Sequence, residues 1–196
     1  TRRSSDLSRD FKDYSLYLVW IWGDIVNFGP EIFEAWCRSW NNNFSGDSFT
    51  KIIGGKTWAA FLLGNAGKWL VFSWDPLNPG CSVSDPLMVD LITRIDKSGN
   101  PFISLLKKYL LKGKVFNAIH LDLDRILVLE CKKRLAAGFT RDLRLVFEIS
   151  GPRSNLILTD SEGYILDGAN RSFPKSNQYR SILPGAQYYP PPPFSG

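Results

Sequence analysis

Cysteine, histidine and long apolar runs are all scarce in this sequence, and each shortage removes a class of protein. The 196 residues hold three cysteines, Cys37, Cys81 and Cys131, with no Cys-x-x-Cys spacing. Three thiols so far apart make no disulfide framework. His120 is the single histidine, so no metal site of Cys and His is expected and a histidine-dependent catalyst has one candidate. The apolar run Leu16-Tyr17-Leu18-Val19-Trp20-Ile21-Trp22 is seven residues long, where a bilayer span needs about 20. Arg2 and Arg3 precede it, as in a secretory signal, but no small-x-small cleavage site follows closely. It reads as a packing segment, with no membrane partner. Free cysteines without an export signal point to the cytoplasm. No internal repeat is visible.

What is present is aromatic and basic. Hydrophobic residues make up 44% of the chain and aromatic residues 14%, including seven Trp. That is enough apolar surface for one sizeable core. The net charge of +5 is unevenly placed: residues 94–153 hold thirteen Lys or Arg against six Asp or Glu, a net of +7, and the remainder is at −2. A basic block inside a folded domain suits a polyanion, because each neutralised phosphate releases counterions.

Residues 1–29 read as an N-terminal extension, polar to residue 13 and apolar from 14 to 28. Pro30 suits a first helical position, Glu31 and Glu34 favour a helix start, and Ile32, Phe33, Trp36 and Trp40 follow at helical spacing. Residues 41–46 are expected to end that helix. Three strands are predicted over 49–53, 57–63 and 68–74, separated by Gly54-Gly55 and Gly64-Asn65-Ala66-Gly67. Residues 75–86, with Pro76, Pro79, Gly80 and Pro86, are predicted as a loop. Residues 87–96 fit either a strand or a short helix. Asn100-Pro101 opens a helix with Phe102, Leu105, Leu106, Tyr109 and Leu110 on one face, and Gly113 closes it. A meander follows over 115–121, 125–132, 142–150, 155–160 and 164–167. Pro190 to Pro193 form an extended exit. The reading is an α+β domain over 30–185, a mainly antiparallel meander with two principal helices, and a Pro-rich linker over 186–196 toward further domains.

Four stretches carry a family resemblance. They are the basic, Leu-rich helix of residues 100–114, Leu123-Asp124-Arg125-Ile126 at a strand start, the hairpin Gly151-Pro152-Arg153-Ser154-Asn155 through Asp167, and Tyr179 to Gly185 with the prolines. In order and spacing they resemble the N-terminal domain of the NFACT family, the RqcH and NEMF type of ribosome quality-control factors. In bacteria these are often catalogued as fibronectin- or fibrinogen-binding proteins. The first half departs from the pattern: Phe28-Gly29-Pro30-Glu31 stands where the family has Phe-Asp-Gly, after about 29 extra residues. The resemblance implies binding of obstructed large ribosomal subunits and recruitment of aminoacyl-tRNA, alanyl-tRNA in bacteria, for template-free C-terminal tailing. It implies a tRNA contact through Asp124 and Arg125, a fold distantly like the formamidopyrimidine-DNA glycosylase N-terminal domain, and partner domains downstream.

The chemistry of these residues fits that implication. Arg125 can fork two N–H groups onto a phosphate or base edge, and Asp124 can hold the guanidinium in place. Lys107 and Lys108, with Lys112 and Lys114, can attract phosphates. Lys132 and Lys133, with Arg134, lie at an expected hairpin tip. Arg153 sits at a turn, where Asn155 is read as bonding its own backbone. Asp122 beside Asp124 is read as turn crowding and His120 as a strand residue. No catalytic residue, metal or cofactor is expected, and the chain is read as no enzyme. Two alternatives remain. A matrix-binding surface adhesin would need export. A DNA glycosylase would need the free amine of an N-terminal proline, whereas the Pro30 nitrogen is an amide.

Overall fold

A computed structural model describes residues 30–121, 125–173 and 180–192. Helix α1 (Pro30–Phe44) turns Phe33, Trp36, Cys37, Trp40 and Phe44 inward at helical spacing, all buried. It ends inside the expected stretch 41–46, after three poor helix formers, Asn41 to Asn43. Trp40 and Phe44 pull that turn into the core, and Asn41 is fixed by two bonds to Ala118, donating to its carbonyl at 3.0 Å and accepting its N–H at 2.7 Å.

The first sheet is an antiparallel meander of β1 (Phe49–Gly54), β2 (Trp58–Leu63), β3 (Trp69–Trp74) and β4 (Pro79–Ser84). Strand β4 corrects the loop predicted over 75–86. It lies at the sheet edge, where Pro79 as the first strand residue removes no needed donor. Cys81 and Val83 supply the inward alternation that the Pro and Gly signals masked. The ambiguous segment 87–96 is helical: α2 (Pro86–Ile95) seats Val89 on Trp58, Ala60, Trp69 and Val71 of the sheet's outer face. Asp96, just after it, accepts from the Trp58 indole at 2.9 Å and the Lys56 N–H at 3.1 Å.

Helix α3 (Pro101–Leu110) is capped by the Asn100 side chain, which accepts the Phe102 N–H at 2.9 Å. It buries Phe102, Ile103, Leu106 and Leu110. The turn after it uses Lys112, not Gly113, in the left-handed region, at φ 64°. Gly113 is required by space instead, because a Cβ there would stand 2.9 Å from the Leu110 carbonyl oxygen.

The second sheet contains β5 (Lys114–His120), β6 (Ile126–Arg134), β7 (Thr140–Glu148), β8 (Asn155–Asp160) and β9 (Ile165–Gly168), antiparallel throughout and in chain order. Its inner face joins α1, α3 and the first sheet in one core containing Phe61, Phe72, Leu129, Leu145 and Phe147. α1 covers the edge strand β5, with Phe33 stacked on His120 at 5.5 Å. A smaller core on the outer face, Ile126, Val128, Val146 and Ile157, is capped by Ile182, Ala186 and Tyr188 from the returning chain. The α+β class and antiparallel meander stand as read. The strands divide between two packed sheets, and the described residues contain three α-helices.

Candidate nucleic-acid interface

Strand β6 decides how the candidate residues are distributed. Its buried first half lies between two apolar layers, while Lys132 and Arg134 emerge at its far end. Its nine residues, at about 3.4 Å each, hold the two ends some 30 Å apart. Arg125 stands at the first end and Lys132 and Lys133 at the second.

At the first end, Arg125 is exposed and its carbonyl accepts the Ile149 N–H at 2.9 Å. The backbone is thereby pinned to the end of β7 while the side chain is free to reach outward. Among the described residues no carboxylate pairs with it. Asp124 and Asp122 lie outside the described residues, as do residues 1–29 and Tyr179. Arg153 ends a single 3-10 turn, Gly151–Arg153, and is also exposed. The register Ile126 to Glu148 to Asn155 puts this turn at the same sheet end as Arg125. Buried Ser154 pins the turn by accepting the Ser150 N–H at 2.9 Å. Asn155 does not bond its own backbone. It donates to the Asn170 carbonyl at 2.8 Å and accepts the Asn170 N–H at 2.9 Å, because the strand carries it to the neighbouring return of the chain.

Beneath this surface lies an ion pair that sequence spacing does not reveal. Glu148, fully buried, accepts from Arg180 at 2.7 and 2.6 Å and from the Tyr188 hydroxyl at 2.7 Å. Burial works against the Arg180 charge, but Glu148 outweighs it and raises the guanidinium's pKa. Burial, then the Glu148 charge, push the Tyr188 hydroxyl up as well. The three residues are 32 and 40 positions apart in sequence, and only an unpaired buried carboxylate on a predicted strand could have hinted at them.

At the second end, Lys107 and Lys108 stand exposed on the last turn of α3. The Lys133 ammonium donates to the Lys108 carbonyl at 2.8 Å. Burial, and then the Lys112 charge, hold its pKa below the ordinary lysine value. Lys132 pairs with Asp142 at 3.4 Å and lies 5.8 Å from the Phe116 ring centre. The structure therefore brings the four lysines to one end of the sheet, Lys107, Lys108 and Lys133 on the α3 side and Lys132 on the opposite face, and places Arg125 and Arg153 at the other end.

All three cysteines are buried, and desolvation pushes the Cys37 thiol up to about 12 and the Cys81 and Cys131 thiols higher still. Among the described residues no cluster of three His, Cys, Asp or Glu could hold a metal, and no helix is long and apolar enough to cross a membrane.

Two packed antiparallel meander sheets with helices define an α+β fold, and comparison with known proteins identifies the family. The family described as NFACT N-terminal and middle domains matches residues 63–196. The chain belongs to that family. The protein named Rqc2 homolog RqcH from Bacillus subtilis is 39% identical over 92 residues, covering 46% of this chain and 16% of that protein. The protein of that name from Streptococcus suis is 39% identical over 98 residues, covering 49% of this chain and 18% of that protein. The matched stretch is thus under a fifth of the relatives' own length. The N-terminal structure of the fibronectin/fibrinogen-binding protein from Streptococcus suis superposes with a TM-score of 0.71 at 26% identity, over 84% of this chain and 61% of that one. The N-terminal domain of the fibronectin-binding protein PavA from Streptococcus pneumoniae shares the fold, with a TM-score of 0.71 at 21% identity, over 84% and 62% of the two chains.

Proposed function

We propose that this chain is the RNA-binding N-terminal module of a ribosome-associated quality-control factor. In this reading it grips tRNA at the sheet end that carries Arg125 and Arg153. Further domains complete a machine that engages obstructed large ribosomal subunits and recruits alanyl-tRNA for template-free tailing. The module itself makes and breaks no bond, and the factor works in the cytoplasm.

The observation that carries this reading is Arg125: an exposed guanidinium on a pinned backbone, with no carboxylate partner among the described residues. A free fork of this kind is available to a phosphate. Asp124 is assigned the role of orienting it. Arg153 on its rigid turn adds a second positive charge at the same end.

The test is tRNA binding by the chain. Arg125→Ala is expected to weaken it about tenfold, the value of one charge-assisted contact, with the melting temperature unchanged because the side chain is exposed. Equal tRNA affinity in the two proteins would remove the assignment. A second reading, a surface that binds fibronectin or fibrinogen, is favoured by the names of the structural neighbours. Binding of immobilised fibronectin that Arg125→Ala leaves intact, with no tRNA binding, would establish it instead.

A further inference from the structure

At the sheet end remote from Arg125, the β6–β7 hairpin, α3 and β9 surround an open cleft of about 680 Å³. Tyr109 of α3 lines it, with Leu135, Phe139 and Arg141 of the hairpin and Leu166 of β9. The Arg141 guanidinium lies 5.5 Å from the Tyr109 ring centre and the Lys108 ammonium 5.2 Å from it. Phe139 is 70% exposed and Leu135 38%. The hairpin loop holds the phenyl out: Ala137 and Gly138 are both left-handed, at φ 58° and 82°, and the Leu135 N–H donates to the Phe139 carbonyl at 2.7 Å.

The same end carries a charge arrangement that works against folding. Lys114 stands directly opposite Lys132, and Lys133 directly opposite Arg141. Like charges across a ladder destabilise a sheet. Asp142 offsets the first pair through Lys132. Among the described residues no carboxylate relieves the second pair: Lys133 donates to a neutral carbonyl, and Lys112 adds a further positive charge. Of the acids lining the cleft, Asp142 is occupied by Lys132, and Asp160 accepts the N–H groups of Glu162 and Tyr164 in its own turn. An uncovered aromatic ring beside a guanidinium plane, among mutually repelling cations, lacks a ligand that is anionic along its length and flat in its side groups.

We propose that this cleft binds unpaired RNA, with bases stacked on Phe139 and on the outer face of Arg141 and phosphates held by Lys108 and Lys133. The proposal rests on the reading of the chain as an RNA-binding module, but the site is distinct from Arg125. A duplex buries the faces of its bases, so the ligand is a single-stranded segment, loop or end, for which aromatic and guanidinium planes are the usual platforms. An acidic protein segment would satisfy the cations and leave the flat stacking surface unused.

The experiment uses the 196-residue chain with two labelled probes, an oligouridylate of about a dozen nucleotides and folded tRNA. Phe139→Ala is expected to lower oligouridylate affinity about tenfold, as loss of one stacked base does, and Phe139→Tyr to keep it. Heparin, a polyanion without bases, is expected to bind Phe139→Ala as well as the parent. Arg125→Ala is expected to leave oligouridylate binding unchanged while weakening tRNA binding. Because Phe139 is exposed, the fold is retained, and circular dichroism checks this. The proposal is overturned if the parent fails to bind the oligouridylate, if Phe139→Ala binds it as tightly as the parent, or if polyglutamate displaces it at lower concentration than unlabelled oligouridylate. Failure of Arg125→Ala to affect tRNA would instead remove the assignment of Arg125 as the tRNA contact and leave this proposal standing.

Discussion

Glu148 is a buried carboxylate that depends on two distant partners. Its side chain is 2% exposed and that of Arg180 20%. A carboxylate so placed is tolerable only while its partners remain. Arg180→Ala is expected to destabilise the chain by about 3–5 kcal/mol in urea melts, since it strands the buried charge. Tyr188→Phe is expected to cost about 1.5–3 kcal/mol, the value of one hydrogen bond to a charged group. A similar ΔΔG for Arg180→Ala and an exposed-pair control such as Arg38→Ala would contradict this account. Asp167 offers a pH test. Burial raises its carboxyl, but the Arg171 fork at 2.8 and 2.7 Å and the Gly168 N–H outweigh burial and leave its pKa below the ordinary value. A lowered folded-state pKa stabilises the fold above the unfolded value, and that contribution fades as pH falls through the folded one. The stability lost in Arg171→Gln should therefore be full at neutral pH and shrink below about pH 4. A loss independent of pH would show that the fork acts by packing alone.

Single elements were legible to different degrees, for identifiable reasons. The cap at Asn100 and the apolar runs of β2 and β3 between glycine turns are local signals, and the structure follows them. Asn100→Ala is expected to cost about 1 kcal/mol through the lost Phe102 contact, read from the thermal midpoint. Strand β4 was hidden because its Pro and Gly sit at an edge, where the usual penalty for them is absent. Helix α2 was ambiguous because its apolar residues point both ways: Val89 reaches the sheet, while Leu87 and Ile95 are 81% and 77% exposed. The hairpin loop carries a second stability test. Ala137 holds a backbone region that costs a residue with a Cβ about 1–2 kcal/mol. Ala137→Gly is therefore expected to raise the unfolding midpoint slightly, and a lowered midpoint would show that the loop tolerates Ala without strain.

For the whole molecule, the basic excess is the feature with the widest reach. It was visible as a run of sequence from 94 to 153, but the fold divides that run between the two ends of one sheet. Arg125 and Arg153 meet at one, Lys107, Lys108, Lys132 and Lys133 at the other. Association with tRNA should weaken linearly in log affinity against log salt. Removing Arg125 should lessen that slope by about one counterion, as loss of one phosphate contact does. An unchanged slope with reduced affinity would mean that Arg125 reads a base edge.

The sequence alone determined the class of the fold, the order of nearly all its strands and the residues that mark its family. These are matters of spacing along the chain, where side-chain alternation, helix period and turn residues act over a few positions. Which charges stand together, which carboxylate is buried under Arg180 and Tyr188, and which aromatic ring is left uncovered were decided only by the tertiary structure. Strand register and chain return set those distances, and both depend on contacts between residues tens of positions apart.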